Sequence, residues 1–278
     1  MIADELDVDT VIQTGSSLRE EDFTDRSDLD LLALASEKPE GSWISGSEKG
    51  IHYTVLQESF ESFEERLEEG RSFELVALKF GKLLKRTEKF RKFDPSDYKP
   101  TQKTVETFLQ SGFNNYRDMI ESRGMAESFF DAAYHSVRGF VRSVLAQEDI
   151  LVESDQKINE EIEEIEPELS KIFQELRNKR QADFEKMDFT TLEDFMENKY
   201  FGYVEKVEKA GKAACRRQGL VFPGLREMKK LLDEKDLKLS TGYRPDMQRK
   251  KATLIARQND EPEVFVFNLE TGKLERQD

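Results

Sequence analysis

Two aspartates near the N-terminus, Asp28 and Asp30, have the spacing of a metal site. They stand at the start of an apolar run, Leu29 to Leu34, that is typical of a β-strand. Because alternate side chains of a strand share a face, both carboxylates point to one side while Leu29 and Leu31 point into the core. Mg²⁺ and Mn²⁺ favour carboxylate oxygens together with substrate phosphates, so the pair predicts a divalent metal site.

A glycine-serine turn, Gly15-Ser16, precedes these aspartates and follows a short apolar run, Val11-Ile12. Backbone N–H groups in such a turn can bind a phosphate oxygen. A phosphate-binding turn beside two metal-binding carboxylates predicts a metal-dependent transfer of a nucleotide. The alternative is a loop followed by a surface strand whose two aspartates are simply solvated.

The same stretch resembles the nucleotidyltransferase superfamily, which has the DNA polymerase β-like fold, and most closely its minimal prokaryotic form. The pattern of that family is Gly-Ser, a gap, and then Asp-x-Asp. Ser16, Arg19 and the run 27–30 match the pattern in order, whereas Glu20 stands where the family often has Gly. With the flanking predicted strands and helices, the resemblance extends over residues 1–93.

The elements after the Asp-x-Asp strand are predicted from local patterns. Residues 36–50 indicate a turn region around Trp43, and Ile51 to Gln57 alternates as a strand. Phe60, Phe63 and Leu67 stand at helical spacing, and a second helical run covers 73–84.

This resemblance implies a reaction and a set of residues that carry it out. The reaction moves a nucleoside monophosphate from a nucleoside triphosphate, with ATP as the first candidate, to a hydroxyl acceptor. The acceptor is a small molecule, an RNA end or a protein. Asp28 and Asp30 are then the catalytic pair that holds the metal. The implied nucleotide-binding residues are Gly15, Ser16, Ser17 and Arg19.

The third carboxylate of that family normally lies on the strand after Asp-x-Asp. The corresponding strand here, Ile51 to Gln57, contains no acid, although Glu58 follows it and His52 and Thr54 lie within it. In the polymerase-like mechanism this acid holds the catalytic metal and helps to activate the attacking hydroxyl. Its absence leaves a second interpretation open, namely a nucleotide-binding pseudoenzyme without turnover.

Residues 101–215, which follow a proline-containing linker at 94–100, have the spacing of a helical bundle. Within them 153–166 is an acidic stretch, and a helix that begins after Thr190 or Thr191 is expected to run to about Ala214. Phe129 to Arg138 and Leu176 to Phe184 resemble core helices of HEPN domains, which often accompany minimal nucleotidyltransferases. That resemblance implies a regulatory module of toxin–antitoxin type as an alternative function. HEPN ribonucleases use an Arg followed shortly by His, and the two histidines of this chain, His52 and His135, do not follow Arg177 or Arg180.

Arg177, Arg180 and Asp183 are spaced three apart and share one helical face. They are interpreted as an ion-pair network, with a nucleotide contact as the alternative. Taken together, the patterns predict an α+β fold. A small mixed-sheet nucleotidyltransferase domain (1–93) precedes an up-and-down helical bundle (101–215), and a C-terminal helix and β-hairpin (216–278) complete the chain.

In the C-terminal part, 252–256 and 264–268 are predicted to pair as a hairpin that packs on a larger domain. Four basic residues lie just before and at the start of this hairpin: Arg244, Arg249, Lys250 and Lys251. They form either a solvated turn or a contact to phosphate.

Composition limits the partners. The net charge of −15 does not favour RNA, although an RNA acceptor is left open. A single cysteine, Cys215, and a first segment with neither a basic nor an apolar signal region predict a cytoplasmic protein. No apolar run is long enough to span a membrane. A homo-oligomer is compatible with the sequence.

Overall fold

The computed structural model describes residues 8–18, 28–36, 43–48, 50–122, 124–180, 192–234, 238–258 and 261–277. Arg19, Glu20 and Asp183, which the sequence analysis singled out, lie outside these ranges. The chain divides into two compact units, Met1–Val105 with Leu145–Ile158, and Glu106–Val144 with Asn159–Asp278. The sequence-based boundaries at residues 93, 101 and 216 rest on composition and element type, and they stay a prediction.

A mixed sheet is the centre of the first unit. Its strands are β1 (Thr10–Thr14), β2 (Leu29–Ala35), β3 (Trp43–Glu48), β4 (Ile51–Ser59) and β5 (Lys82–Lys85). They form a five-stranded sheet in the order β3-β4-β2-β1-β5. Only the central pair β2 and β4 is parallel, and the other neighbours are antiparallel. The sheet is therefore of the mixed type that the sequence predicts.

Strand β2 is buried on both faces, whereas the sequence analysis placed only the face of Leu29 and Leu31 in the core. Leu32 and Leu34 belong to a core cluster that includes residues of the two following helices. Leu31 and Ala33 belong to a second cluster on the opposite face of the sheet. By alternation Asp30 lies on the face of Leu32 and Leu34.

Two helices, α1 (Phe60–Glu69) and α2 (Ser72–Phe80), cover that face of the sheet. Helix α1 begins after Ser59, whose hydroxyl accepts a hydrogen bond from the Ser62 N–H at 3.0 Å. It ends at Gly70, which has the left-handed backbone conformation with φ 77°. The helical run predicted for 73–84 is shorter than expected, because residues 82–85 pair with β1 as β5.

The turn predicted around Trp43 is also different in the structure. Residues 43–48 form β3, an edge strand that pairs with β4. Trp43 is exposed, and its ring centroid lies 6.0 Å from that of Phe73. The glycines and serines of this stretch are typical of a turn, and they led to the wrong prediction. Among the described residues, β3 pairs with β4 alone.

Helices dominate the chain after residue 101, as predicted. Their bounds are α3 (Gln102–Glu121), α4 (Ala126–Gln147), α5 (Asp155–Ile165), α6 (Pro167–Arg180), α7 (Leu192–Met196), α8 (Phe201–Arg217) and α9 (Leu225–Asp233). The predicted acidic stretch 153–166 is largely helical as α5. The single helix expected from about residue 190 to 214 is divided into α7 and α8.

Helices α3 and α4 approach each other closely at two glycines. A Cβ on Gly139 would lie 2.6 Å from the backbone nitrogen of Gly112, and a Cβ on Gly112 would lie 2.5 Å from the Phe140 ring. The rings of Phe113 and Phe140 pack edge to face beside this crossing, with centroids 5.6 Å apart. The small residues therefore set the distance between the two helices.

The predicted C-terminal hairpin is part of a larger sheet. Its two strands are β7 (Lys251–Gln258) and β8 (Glu261–Asn268), and they lie between β6 (Lys238–Asp246) and β9 (Leu274–Arg276) in a four-stranded antiparallel sheet. The sheet is tied to α3, since Gln110 accepts the Met247 N–H at 2.8 Å and donates to Pro245 O at 3.0 Å. Two more strands and these bonds stabilise a hairpin that would be marginal alone.

The described residues include no helix that is both long and apolar enough to cross a membrane.

Candidate functional site

Asp30 lies at the centre of the sheet, between polar partners on both neighbouring strands. Its register partner on β1 is Thr14, and its partner on β4 is Thr54. Thr14 is buried and Thr54 is half-buried, as is Asp30 itself. Asp28 is exposed and immediately precedes β2, which begins at Leu29. The two aspartates are close enough for the charge of Asp28 to raise the pKa of Asp30.

Gly15 lies against the Asp30 carboxylate. Its φ is +81°, a conformation that other residues rarely adopt, and a Cβ there would lie 2.5 Å from Asp30 Oδ2. The predicted phosphate-binding turn and the predicted metal-binding carboxylate are therefore in van der Waals contact. A side chain at position 15 would occupy the space that keeps the two together.

The turn after Gly15 is a short 3₁₀ helix, Ser16–Leu18, closed by a bond from the Leu18 N–H to Gly15 O at 3.3 Å. The Ser17 hydroxyl donates to Thr14 O at 3.2 Å, and Gln13 Nε2 donates to Ser17 Oγ at 3.1 Å. These bonds fix the turn to the end of β1. Ser17 thus has a structural role in the turn, and Arg19 lies outside the described residues.

Glu153 reaches this turn from a distant part of the sequence. The Gly15 N–H donates to Glu153 Oε1 at 3.0 Å, across a sequence separation of 138 residues. Glu153 belongs to the segment Leu145–Ile158 of the same compact unit and is only 6% exposed. It is the first residue of the acidic stretch 153–166, and no local pattern distinguishes it from the glutamates that follow.

Two neighbouring acids act on Asp30. The pKa of Asp30 rises from 3.8 to about 6, first because the carboxyl is buried and then because of the charges of Asp28 and Glu153. A carboxylate that is difficult to ionise among like charges is stabilised by a cation. The cation predicted at Asp28 and Asp30 would offset these charges.

The oxygen donors of Asp28 and Asp30 suit Mg²⁺ or Mn²⁺. Asp30 Oδ2 is the carboxylate oxygen that faces the turn, since a Cβ at Gly15 would lie 2.5 Å from it. Within the described ranges, no group of three or more His, Cys, Asp or Glu side chains is arranged to hold a metal ion. The pair fits an ion whose remaining ligands are water and substrate phosphates, which is the usual coordination of protein-bound Mg²⁺.

Glu58 is not the missing third carboxylate. Its register partner is Leu34, at the opposite end of β2 from Asp30, so about 13 Å of strand separates the two acids. Glu58 instead pairs with Arg66, which also bonds Glu74 at 3.0 Å. The strand position beside Asp30 is Thr54, and His52, one alternation before it on the same face, is exposed.

Arg180, a candidate residue of the helical region, forms an ion pair with Asp131. Arg180 Nε donates to Asp131 Oδ1 at 2.6 Å, and its guanidinium lies 4.8 Å from the centroid of the Tyr134 ring. His135 Nε2 is 3.7 Å from the same oxygen of Asp131. Arg180 therefore makes an ion pair, but with Asp131 of α4, and its predicted partner Asp183 lies outside the described residues.

The basic residues before and at the start of β7 contact acids of the second unit. Lys250 Nζ lies 2.6 Å from Glu106 Oε1, and Arg249 Nε lies 3.6 Å from Asp246 Oδ2. Lys250 has a left-handed backbone with φ 51°, as expected for a tight turn. These contacts favour the solvated-turn interpretation for both residues.

Comparison with known proteins adds little. No protein-family model matches the chain, and no curated protein matches it. Among solved structures, a nucleotidyltransferase-like protein from Exiguobacterium sibiricum 255-15 is similar at a TM-score of 0.32 and 12% sequence identity. The match covers 88% of this chain and 91% of that one. At this TM-score the likeness establishes nothing about the function of this chain.

Proposed function

We propose that this protein is a metal-dependent nucleotidyltransferase that moves a nucleoside monophosphate from a triphosphate, ATP first among the candidates, to a hydroxyl acceptor. The observation that carries the proposal is the contact between Gly15 and Asp30 Oδ2. It joins a backbone N–H group that suits a phosphate to a carboxylate that suits a divalent cation. Phosphoryl transfer needs these two elements in one place, because it depends on positioning and on neutralising charge.

In this proposal Asp28 and Asp30 hold Mg²⁺ or Mn²⁺. The backbone of Gly15 to Ser17 binds the triphosphate, and Arg19 contacts it. The metal ion would offset the negative charge that develops on the phosphate oxygens. The acceptor oxygen forms a bond to the α-phosphorus, the bond to the bridging oxygen breaks, pyrophosphate leaves and the hydroxyl proton is released. Small molecules, RNA ends and protein hydroxyls are the acceptor classes to test.

A second candidate function is favoured by one specific observation. The strand position paired with Asp30 is Thr54 and not an acid, so the usual residue for activating the hydroxyl is absent from β4. A nucleotide-binding protein without turnover, regulated by a HEPN-like helical region as in toxin–antitoxin modules, would need only the binding half of the site.

Calorimetry with ATP and the other triphosphates, in the presence of Mg²⁺, tests the shared part of both candidates. The double variant Asp28→Asn/Asp30→Asn should lose binding of the metal complex. Asp97→Asn, a change of the same kind at an exposed position of the same unit, should not. Equal binding by the wild type and the double variant would show that the metal assignment is wrong.

Turnover separates the two candidates from each other. Triphosphate labelled at the α-phosphate is incubated with RNA, protein and small-molecule hydroxyl pools, and transfer of label is measured. A labelled acceptor that disappears with Asp30→Asn supports the enzyme. Retained binding without label in any pool supports the binding protein.

A further inference from the structure

The hydrogen bond between Gly15 and Glu153 joins the phosphate-binding turn to a carboxylate of the chain itself. The Gly15 N–H donates to Glu153 Oε1 at 3.0 Å. Carboxylate and phosphate oxygens are both anionic acceptors that bind backbone N–H groups strongly. A phosphate placed at this N–H would therefore compete with Glu153 for the same donor.

The backbone around Glu153 is fixed on both sides. Helix α4 is followed by a turn in which Asp149 has a left-handed φ of 58° and the Ile150 N–H donates to Leu145 O at 3.0 Å. Leu151 then packs against the core cluster beneath α1 and α2. After Glu153, the Ser154 hydroxyl accepts the Lys157 N–H at 3.2 Å and caps α5. Exchange of Glu153 for a phosphate is therefore a movement of its side chain and not of the whole segment.

Charge decides which phosphate compound can make this exchange. A free triphosphate would meet the Glu153 carboxylate beside Asp28 and Asp30, and like charges at close range in a partly buried site repel strongly. A triphosphate that brings a divalent cation offsets the three carboxylates and supplies the attraction needed to displace Glu153. The carboxylate thus penalises the free nucleotide more than the metal complex.

We propose that Glu153 is a specificity-determining residue that competes with phosphate for the Gly15 N–H and thereby makes the site select the metal complex of a triphosphate over the free triphosphate. The inference rests on the proposed function of Gly15, Asp28 and Asp30 as the nucleotide and metal site. It adds a residue from outside the sheet, since Glu153 lies in the segment Leu145–Ile158.

The test uses the full chain and calorimetric titration with ATP, once with Mg²⁺ and once with a chelator. Glu153→Gln keeps the shape and removes the charge, so binding of free ATP should tighten about tenfold, which corresponds to about 1.4 kcal/mol. Binding of the magnesium complex should change less, and the preference for the complex should shrink. Glu148→Gln makes the same charge change at an exposed residue of the same segment and should leave both affinities unchanged.

Glu153→Ala removes the acceptor altogether and should show the same loss of preference. If both Glu153 variants bind ATP with the wild-type preference, the inference is overturned while the proposed function stands. If both fold, as judged by circular dichroism, but lose the magnesium complex, Glu153 is a metal ligand and the inference is also overturned. If the wild type binds neither form of ATP, the proposed function fails, and this inference fails with it.

Discussion

A Cβ at position 15 would lie 2.5 Å from Asp30 Oδ2, and Gly15 has only a hydrogen in that direction. The same residue has φ +81° and donates its N–H to Glu153. Position 15 is thus restricted twice, once by its own backbone conformation and once by the neighbouring carboxylate.

Gly15→Ala should lose binding of the metal-nucleotide complex, because the added methyl group pushes Asp30 away from the turn. The variant should also be destabilised by about 1 kcal/mol or more through backbone strain. Gly50→Ala is the matched control, since Gly50 has φ +82° but nothing within 4 Å of its Cβ position. It should show the strain in chemical denaturation and keep nucleotide binding. Equal binding by both variants would contradict the proposed role of this contact.

Asp30→Asn should stabilise the protein at pH 7.5 in the absence of divalent ions. The folded-state pKa of Asp30, about 6 against 3.8, means that the folded protein binds more protons than the unfolded chain between these values. Stability therefore falls as the pH rises through this window. Removing the ionisable group should raise the free energy of unfolding by roughly 1 kcal/mol. This is less than 1.36 kcal/mol for each unit of pKa shift, because solvent screens a partly exposed carboxylate.

The same variant should no longer respond to divalent ions. In thermal unfolding, Mg²⁺ or Mn²⁺ should raise the melting temperature of the wild type and of Asp97→Asn, but not that of Asp30→Asn. A wild-type melting temperature that is independent of both ions at millimolar concentration would speak against a metal site at Asp30.

Glu58→Gln should make stability less dependent on pH. The pKa of Glu58 rises from 4.5 to about 7, first through burial and then through Glu74, against the lowering effect of Arg66. The folded state binds the extra proton, so this contribution to stability is present below pH 4.5 and is lost as the pH rises towards 7. Denaturation at pH 5 and pH 8 should show a smaller difference in Glu58→Gln than in the wild type. Glu65→Gln, at an exposed position of α1, should behave as the wild type.

Gly139→Ala should destabilise the second unit by about 1–3 kcal/mol. Its Cβ would lie 2.6 Å from a backbone nitrogen of α3, which cannot move without separating the two helices. Gly202→Ala in α8 meets nothing within 4 Å and should stabilise the protein by up to about 1 kcal/mol, since alanine favours helices. The two variants should therefore shift the denaturation midpoint in opposite directions. A shift in the same direction would show that α3 and α4 can separate at little cost.

Local patterns were sufficient to predict much of the first unit. The structure confirms β2 as a strand and the helical spacing of Phe60, Phe63 and Leu67, whose side chains face the core. For residues 82–84 the local pattern predicts a helix, because Leu83 continues the spacing of α2. Pairing with β1 overrides that local preference.

The residues of the candidate site could be predicted only where they are close to one another in the sequence. Gly15, Asp28 and Asp30 lie at the ends of neighbouring strands, so a short pattern contains them all. Glu153 reaches the turn through the packing of a distant segment, and proximity of that kind leaves no trace in local spacing. The same limit applies to Arg180, whose partner Asp131 lies 49 positions earlier on another helix.

The first compact unit is discontinuous in sequence, because Glu106–Val144 of the second unit separates Met1–Val105 from Leu145–Ile158. During translation from the N-terminus, the strands that carry Gly15 and Asp30 leave the ribosome before Glu153 has been made. At about 5–20 residues per second, the 123 residues from Asp30 to Glu153 take roughly 6–25 seconds. The nascent sheet thus has a period in which the turn at Gly15, which is proposed to bind phosphate, exists without the carboxylate that later contacts it. Under the proposed function, nucleotide present in the cell would bind the growing chain without competition from Glu153.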